Sequence, residues 1–210
     1  MNSADMIFTW WFGDAHDETP LVAGSPYLTR WFGGSKDLDN EIRANFGELH
    51  AQAAAWQLSA WADTARGRQA LVLLYDQFTR ALYRGTPRVF EFDRRAQSLA
   101  RRALAGGLTL RLPLIQQLFM TVPLGRSEQI EDQEMYLDWF QYALGEAKSR
   151  RLPTLAFWTG GAERAKAYYD IIHKFGRFPQ RNAILKRDTT EAESDFVPLE
   201  LDSDDLHSIR

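Results

Sequence analysis

Apolar residues recur along this chain at the spacing of helices, and the strict alternation that marks half-buried strands is hard to find. Leu71, Leu74, Tyr75, Phe78 and Leu82 follow the i, i+3, i+4, i+7 rule, in a helix that Thr64 can cap and that runs to about Arg84. The pattern makes one buried stripe. Ile130, Leu137, Phe140, Leu144 and Ala147 share a face of a second helix, capped by Ser127, with Glu128, Glu131 and Asp132 in the first turn, where the helix dipole favours acids. A third follows Gly160-Gly161, turns Ala165, Tyr168, Tyr169, Ile172 and Phe175 inward, and stops at Gly176. Pro179 suits the first turn of a short helix to about Leu185. Weaker patterns predict helices over Asp5–Phe12, Asp37–Trp56 and Val89–Leu104, and from Pro113 to about Met120.

About seven to nine helices joined by short loops pack as antiparallel neighbours. The predicted fold is therefore all-α, a single domain of stacked antiparallel helical hairpins, with the helical domain over residues 1–193 and an acidic tail over 194–210. No exact 34-residue repeat is present, so any repeat architecture is degenerate.

Composition sharpens this picture in two places. A 210-residue chain that is 45% hydrophobic can build a proper core. The absence of Cys removes disulfides, thiolate metal sites and cysteine nucleophiles, and fits a reducing compartment. Met1 to Met6 lack a basic leader and Ile7 to Gly13 is too short and aromatic for a signal core, so a cytoplasmic location is expected. No apolar run approaches the roughly 20 residues that span a bilayer, so no membrane partner is expected.

Charge is unevenly placed. The net charge is −3, but from Asp188 to Arg210 eight acids face one arginine, giving that stretch −7 and leaving about +4 for the rest. Immediately before it, Lys174, Arg177, Arg181, Lys186 and Arg187 form a basic segment. One basic segment beside an acidic tail is a poor electrostatic footprint for nucleic acid. The tail is expected to lie against the body or stay loose, anchored by Phe196, Val197, Leu199, Leu201 and Leu206, and to compete for the basic segment.

Two polar stretches could carry chemistry. Asp76, Arg80 and Arg84 are spaced i, i+4, i+8 along one helix face, flanked by Gln77. Arginines one turn apart present forked donors that match a carboxylate or phosphate. The plainer reading is a surface ion pair between Asp76 and Arg80. In His173 to Asn182, a helix stop, a bend and a new helix start fall within ten residues, and backbone N–H groups beside Arg177 and Arg181 make an anion cradle. Its plainer reading is a tight corner whose arginines pair with acids elsewhere. His16, His50, His173 and His207 have no metal-ligand spacing, so no metal or cofactor is expected, and His173 reads first as a structural hydrogen-bonding group. P-loop, dinucleotide, G-x-S-x-G and H-E-x-x-H signatures are absent.

The order of the conspicuous residues resembles a known family. Trp10-Trp11-Phe12-Gly13 and Trp31-Phe32 come first, then Asp76-Gln77-Phe78 with Arg80, Arg84, Gly85 and Thr86. Asp93, Pro123-Leu124, Ser127-Glu128 and Gln133 follow, and then His173, Phe175-Gly176-Arg177-Phe178-Pro179, Arg181-Asn182, Leu185, Arg187, Thr190 and Glu193. From about Ile7 to Phe196 this is similar to the bacterial family catalogued as domain of unknown function 924, an all-helical, tetratricopeptide-like group. The resemblance implies a superhelical stack and one ligand-binding set: Asp76, Gln77, Arg80, Arg84, Ser127, Glu128, His173, Arg177, Arg181 and Asn182. The chain departs from the family pattern at Thr79 and Ala81 (Pro and Asn), Gly125-Arg126 (Glu-His), Gln180 (His) and Lys186 (Gly). Two imidazoles suited to acid–base work are thus missing, which favours binding over catalysis. The reading is a binding module for an anionic small molecule or acidic peptide. The competing one is an enzyme on a phosphate- or carboxylate-bearing small molecule, altered or inactive in this member, with His173, Asp76 or Glu128 as acid–base groups. A purely structural interaction protein is a third.

Overall fold

The structure is a computed structural model and describes residues 3–107 and 112–196. Among the described residues it is all-helical, with α1 (Ser3–Phe12), α2 (Pro26–Phe32), α3 (Lys36–Ala54), α4 (Ala65–Leu73), α5 (Thr79–Leu82), α6 (Asp93–Ala105), α7 (Leu114–Gly125), α8 (Ile130–Ser149), α9 (Leu155–Phe175) and α10 (Asn182–Leu185). The π-helical segment Leu74–Phe78 joins α4 to α5, so 65–82 is one continuous rod. Three-residue to five-residue 3₁₀ turns fill Ser59–Asp63, Pro87–Phe90, Pro179–Arg181 and Glu191–Glu193.

That rod is the axis of the fold. Thr64 caps it as its side chain accepts from the Gly67 N–H. α1, α3, α6 and α7 all pack on it, and its Leu71, Leu74, Tyr75, Phe78 and Leu82 are buried as the periodicity predicts. The single-stripe expectation is too narrow, however. Val72, Leu73, Asp76, Thr79, Arg80 and Ala81 are buried as well, so from Gln69 to Leu82 all residues but the half-buried Gln77 are buried. Charged side chains buried in this way are costly unless paired, and Asp76 and Arg80 are paired in the ion pairs described below.

Aromatic side chains from the N-terminal helices close one end of the core. Trp11 meets Phe78 and Phe119 edge-on at 5.7 and 5.3 Å, and Trp31 meets Phe119 at 5.2 Å. The other end is a layer of consecutive antiparallel helices, α6 on α7, α7 on α8 and α8 on α9. The α8–α9 pair packs closely at Gly161, where a Cβ would come within 2.2 Å of the Phe140 ring. This stacking is compatible with a tetratricopeptide-like superhelix.

Several boundaries differ from the sequence reading. α9 begins at Leu155 and runs straight through Gly160-Gly161, because Gly161 serves close packing there. α7 continues past Met120 through Pro123 to Gly125, with Pro123 in its last turn. The stretch expected to start a helix at Val89 instead makes the Pro87–Phe90 3₁₀ turn, and α6 starts at Asp93. α2, short and opened by Pro26, has no counterpart in the sequence reading. Ser127 is not the cap of α8: Gln129 holds that position, and Ser127 Oγ accepts the Gln129 N–H at 3.2 Å. Gly176 does end α9 in a left-handed conformation, φ 68°.

Candidate functional site

Asp76 and Arg80 are not a surface pair. At 1% and 3% exposure they are core residues. Their i, i+4 spacing lets Arg80 Nη1 reach Asp76 Oδ1 at 3.1 Å, while the same guanidinium forks onto both oxygens of Asp93 at 3.0 and 3.1 Å. Arg126, from the α7–α8 turn, approaches Asp76 at 3.5 Å, and Gln77 donates to Asp76 at 2.5 Å. Charges are held inside a core only when each is matched and hydrogen-bonded. Here two carboxylates are shared by two guanidiniums. Arg84, two turns from Asp76, forks onto Asp39 of α3 at 2.6 and 2.7 Å.

The second polar stretch is also occupied from within the chain. Arg177 forks onto Glu193 at 2.5 and 2.8 Å, and Asn182 and the Thr190 N–H donate to the same carboxylate. The hydrogen bonds from Arg177 are the main reason the Glu193 carboxyl is pushed down to about 2. The backbone N–H of Phe178, in the predicted cradle, donates to Glu128 at 2.8 Å, and Arg187 forks onto Glu128 at 2.8 and 3.1 Å. The expected anions are thus the protein's own Glu128 and Glu193. Glu193 belongs to the acidic stretch expected to seek the basic segment. Phe196 follows it and packs edge-on against Phe175 at 5.6 Å; Val197, Leu199, Leu201 and Leu206 lie outside the described residues.

Two parts of the sequence-derived set do meet. Arg181 Nη1 donates to the Arg126 carbonyl at 2.8 Å, bringing the corner after α9 onto the α7–α8 turn. Buried Gln133 clamps that turn by donating to the carbonyls of Gly125 and Ser127 at 3.0 and 2.6 Å. Beside this junction lies a cleft of about 480 Å³, walled by Asp93, Arg94, Gln97 and Arg101 of α6 and by Arg126, Ser127, Glu128 and Arg181. Gln77, Arg80 and Arg84 line a separate slot of about 50 Å³, which has room for water only. Arg126 is common to both. Arg177 and Asn182 line neither, and His173 is exposed on α9, stacked on Tyr169 at 5.7 Å.

Arg94 and Arg101 were missed by the sequence reading. The available signal was their spacing: Arg94, Gln97 and Arg101 stand at i, i+3, i+7 and therefore share a face of α6. Arg101 Nη1 bonds both oxygens of Asp132 at 2.7 Å, and Arg94 has no carboxylate partner among the described residues. The cleft holds four guanidiniums against two carboxylates, and those two are already bound by Arg80 and Arg187. The proton-transferring candidates fare less well: Asp76 is in the core, Glu128 is forked by Arg187, and His173 is outside the cleft. No group of three His, Cys, Asp or Glu among the described residues is placed to hold a metal, and no described helix is long and apolar enough to cross a membrane.

The fold and site define an all-helical protein with an ionic core and an arginine-lined cleft beside it. The family described as "Bacterial protein of unknown function (DUF924)" matches residues 7–199, and the chain belongs to that family. Among solved structures it is similar to a protein of unknown function from Agrobacterium tumefaciens, ATU0120, at 29% identity and a TM-score of 0.68, covering 90% of this chain and 93% of that one. No curated protein matches it.

Proposed function

We propose that this protein is a binding module whose arginine-lined cleft takes an anionic small molecule, or the acidic end of a peptide, by its carboxylate or phosphate. Arg94 carries the reading. It is exposed, it has no carboxylate partner among the described residues, and it shares the cleft with Arg101, Arg126 and Arg181. Planar guanidiniums bind carboxylates and phosphates through paired, charge-assisted hydrogen bonds. Arg101 is bound by Asp132 and Arg126 by Asp76, and the lining carboxylates are bound by Arg80 and Arg187, so the positive charge offered to an incoming anion rests on Arg94.

The sequence-derived groove contracts in this reading. Arg80 organises the core beneath the cleft, Arg84 and Arg177 hold internal acids, and Arg181 with Ser127 and Glu128 remains at the cleft itself. Binding is favoured over the enzymatic reading because the acid–base candidates are tied or lie elsewhere. Thermal-shift and calorimetric titration with inorganic phosphate, citrate and a panel of phosphorylated and carboxylated metabolites tests it, since a ligand that prefers the folded state raises its stability. Arg94→Ala should weaken citrate about tenfold, the loss of one charged hydrogen-bonding contact. Wild-type affinity should fall with added salt. Absence of any shift at low ionic strength, or unchanged affinity in Arg94→Ala, rejects the cleft.

A further inference from the structure

The arginine cleft has a buried polar floor as well as a charged rim. Gln97, one turn along α6 from Arg94, lines the cleft and is 8% exposed. Its side-chain amide makes no hydrogen bond among the described residues. The other buried glutamines, Gln69, Gln117 and Gln133, each donate to a backbone carbonyl. An amide taken out of water is normally paired in this way, so Gln97 stands apart. Ser127, also buried in the lining, accepts the Gln129 N–H, and its hydroxyl proton meets no acceptor among the described residues.

These groups describe a ligand. A glutamine amide both donates and accepts, which complements the C=O and N–H of a peptide group, and a serine hydroxyl adds a donor to the same carbonyl. Residues at i and i+3 of a helix are neighbours, about 5–6 Å apart at Cβ, so the group met by Gln97 lies next to the anion met by Arg94. The charge offered by Arg94 matches a single carboxylate, whereas a phosphate monoester brings about −1.5 to −2 at pH 7. Half-buried Phe90 and Leu185 complete the lining with apolar surface.

We infer that the cleft binds an N-acylated amino acid, free or as the C-terminal end of a peptide. Its carboxylate is forked by Arg94, its acylamino group pairs with Gln97 and Ser127, and its apolar side chain lies against Phe90 and Leu185. This ligand class rests on the anion-binding cleft proposed above and narrows it.

Calorimetry on the full chain compares N-acetylleucine with 4-methylpentanoate, which lacks the acylamino group, and with N-acetylleucinamide, which lacks the carboxylate. N-acetylleucine should raise Tm and bind about tenfold more tightly than either, the worth of two neutral hydrogen bonds or one charged one. Gln97→Met should close the gap between N-acetylleucine and 4-methylpentanoate without lowering the unliganded Tm, because no internal hydrogen bond is lost. Circular dichroism checks its folding, and Gln97→Leu replaces it if it does not fold. N-acetyl-alanyl-alanyl-leucine distinguishes the two sources: binding at least as tight as N-acetylleucine assigns a peptide end, and weaker binding a free N-acyl amino acid. Citrate distinguishes this inference from the reading beneath it. Citrate bound through Arg94, with N-acetylleucine no tighter than 4-methylpentanoate, overturns the ligand class alone, and no binding of citrate or of any acid overturns both. An undiminished gap in the folded Gln97 variant also overturns the inference.

Discussion

Arg80 holds two buried carboxylates at once. It bridges Asp76 on its own helix and Asp93 at the start of α6, and both carboxylates are shielded from solvent. Arg80→Met keeps most of the side-chain volume and leaves two buried acids short of a counter-charge. Loss of one partner from a buried pair costs about 3–5 kcal/mol, and urea unfolding should show a destabilisation in that range. A loss under about 1 kcal/mol would mean Arg126 alone can neutralise both acids. His50 is the second such residue. Its Nε2 lies 2.9 Å from Thr79 Oγ1, and that hydroxyl donates to the Leu74 carbonyl at 3.1 Å, so the imidazole is assigned as the Nε2–H donor. Burial lowers its pKa from 6.5 to about 4. The unfolded chain therefore binds a proton between those values that the folded chain does not, and stability falls as pH drops from 6.5 towards 4, by about 3 kcal/mol at most. Unfolding free energies at pH 7 and pH 4.5 should show this slope, and His50→Gln should flatten it. An unchanged slope in the variant would assign the acid sensitivity elsewhere. Nothing at position 50 in the sequence announces this role, because the partner, Thr79, is 29 residues away.

Elements were easier to read than contacts between them. The rod from Ala65 to Leu82 was legible because its apolar positions and its Thr64 cap are local features. What periodicity could not show is that its polar face is buried too, since that depends on Asp93 of α6 and Arg126 of the α7–α8 turn arriving from elsewhere in the chain. The same holds for Leu74–Phe78, where a π turn shifts the phase and leaves the Leu74 carbonyl to be met by both the N–H and the hydroxyl of Thr79. Gly160-Gly161 read as a helix boundary because glycine usually marks one; here one glycine serves the approach of α8 and the other borders a cavity. The arginine cleft was half legible. Arg181, Ser127 and Glu128 carry local motif signals, whereas the α6 wall depends on which face of that helix meets the α7–α8 turn, a contact between distant segments. Leu74→Ala tests the rod as an element. With Leu74 at 0% exposure, the cavity left behind should cost about 2–5 kcal/mol in chemical unfolding. A cost below about 1 kcal/mol would mean that the rod repacks around the gap.

At the scale of the whole molecule, the distribution of charge bears on the binding proposed for the cleft. The body is positive and the C-terminal stretch is negative, and the structure shows the first part of that attraction completed: Glu193 is held by Arg177, Asn182 and the Thr190 N–H. Glu200, Asp202, Asp204, Asp205 and Arg210 follow in the sequence, a net −3 tethered to a body whose exposed cleft carries Arg94 and Arg101. A tethered segment that can reach a site competes for it at a high effective concentration, while screening weakens charge attraction beyond a Debye length of about 10 Å at 0.1 M salt. Deleting residues 197–210 preserves Glu193 and Phe196 and should leave the Tm within a few degrees of the full chain. It should also tighten citrate binding at the arginine cleft, most at low ionic strength, with the difference vanishing near 0.5 M salt. Calorimetry on the two chains at 20 mM and 500 mM salt reads this directly. Identical affinities at both salt concentrations would show that the tail does not compete for the cleft, and a large fall in Tm on truncation would place its leucines among the supports of the core.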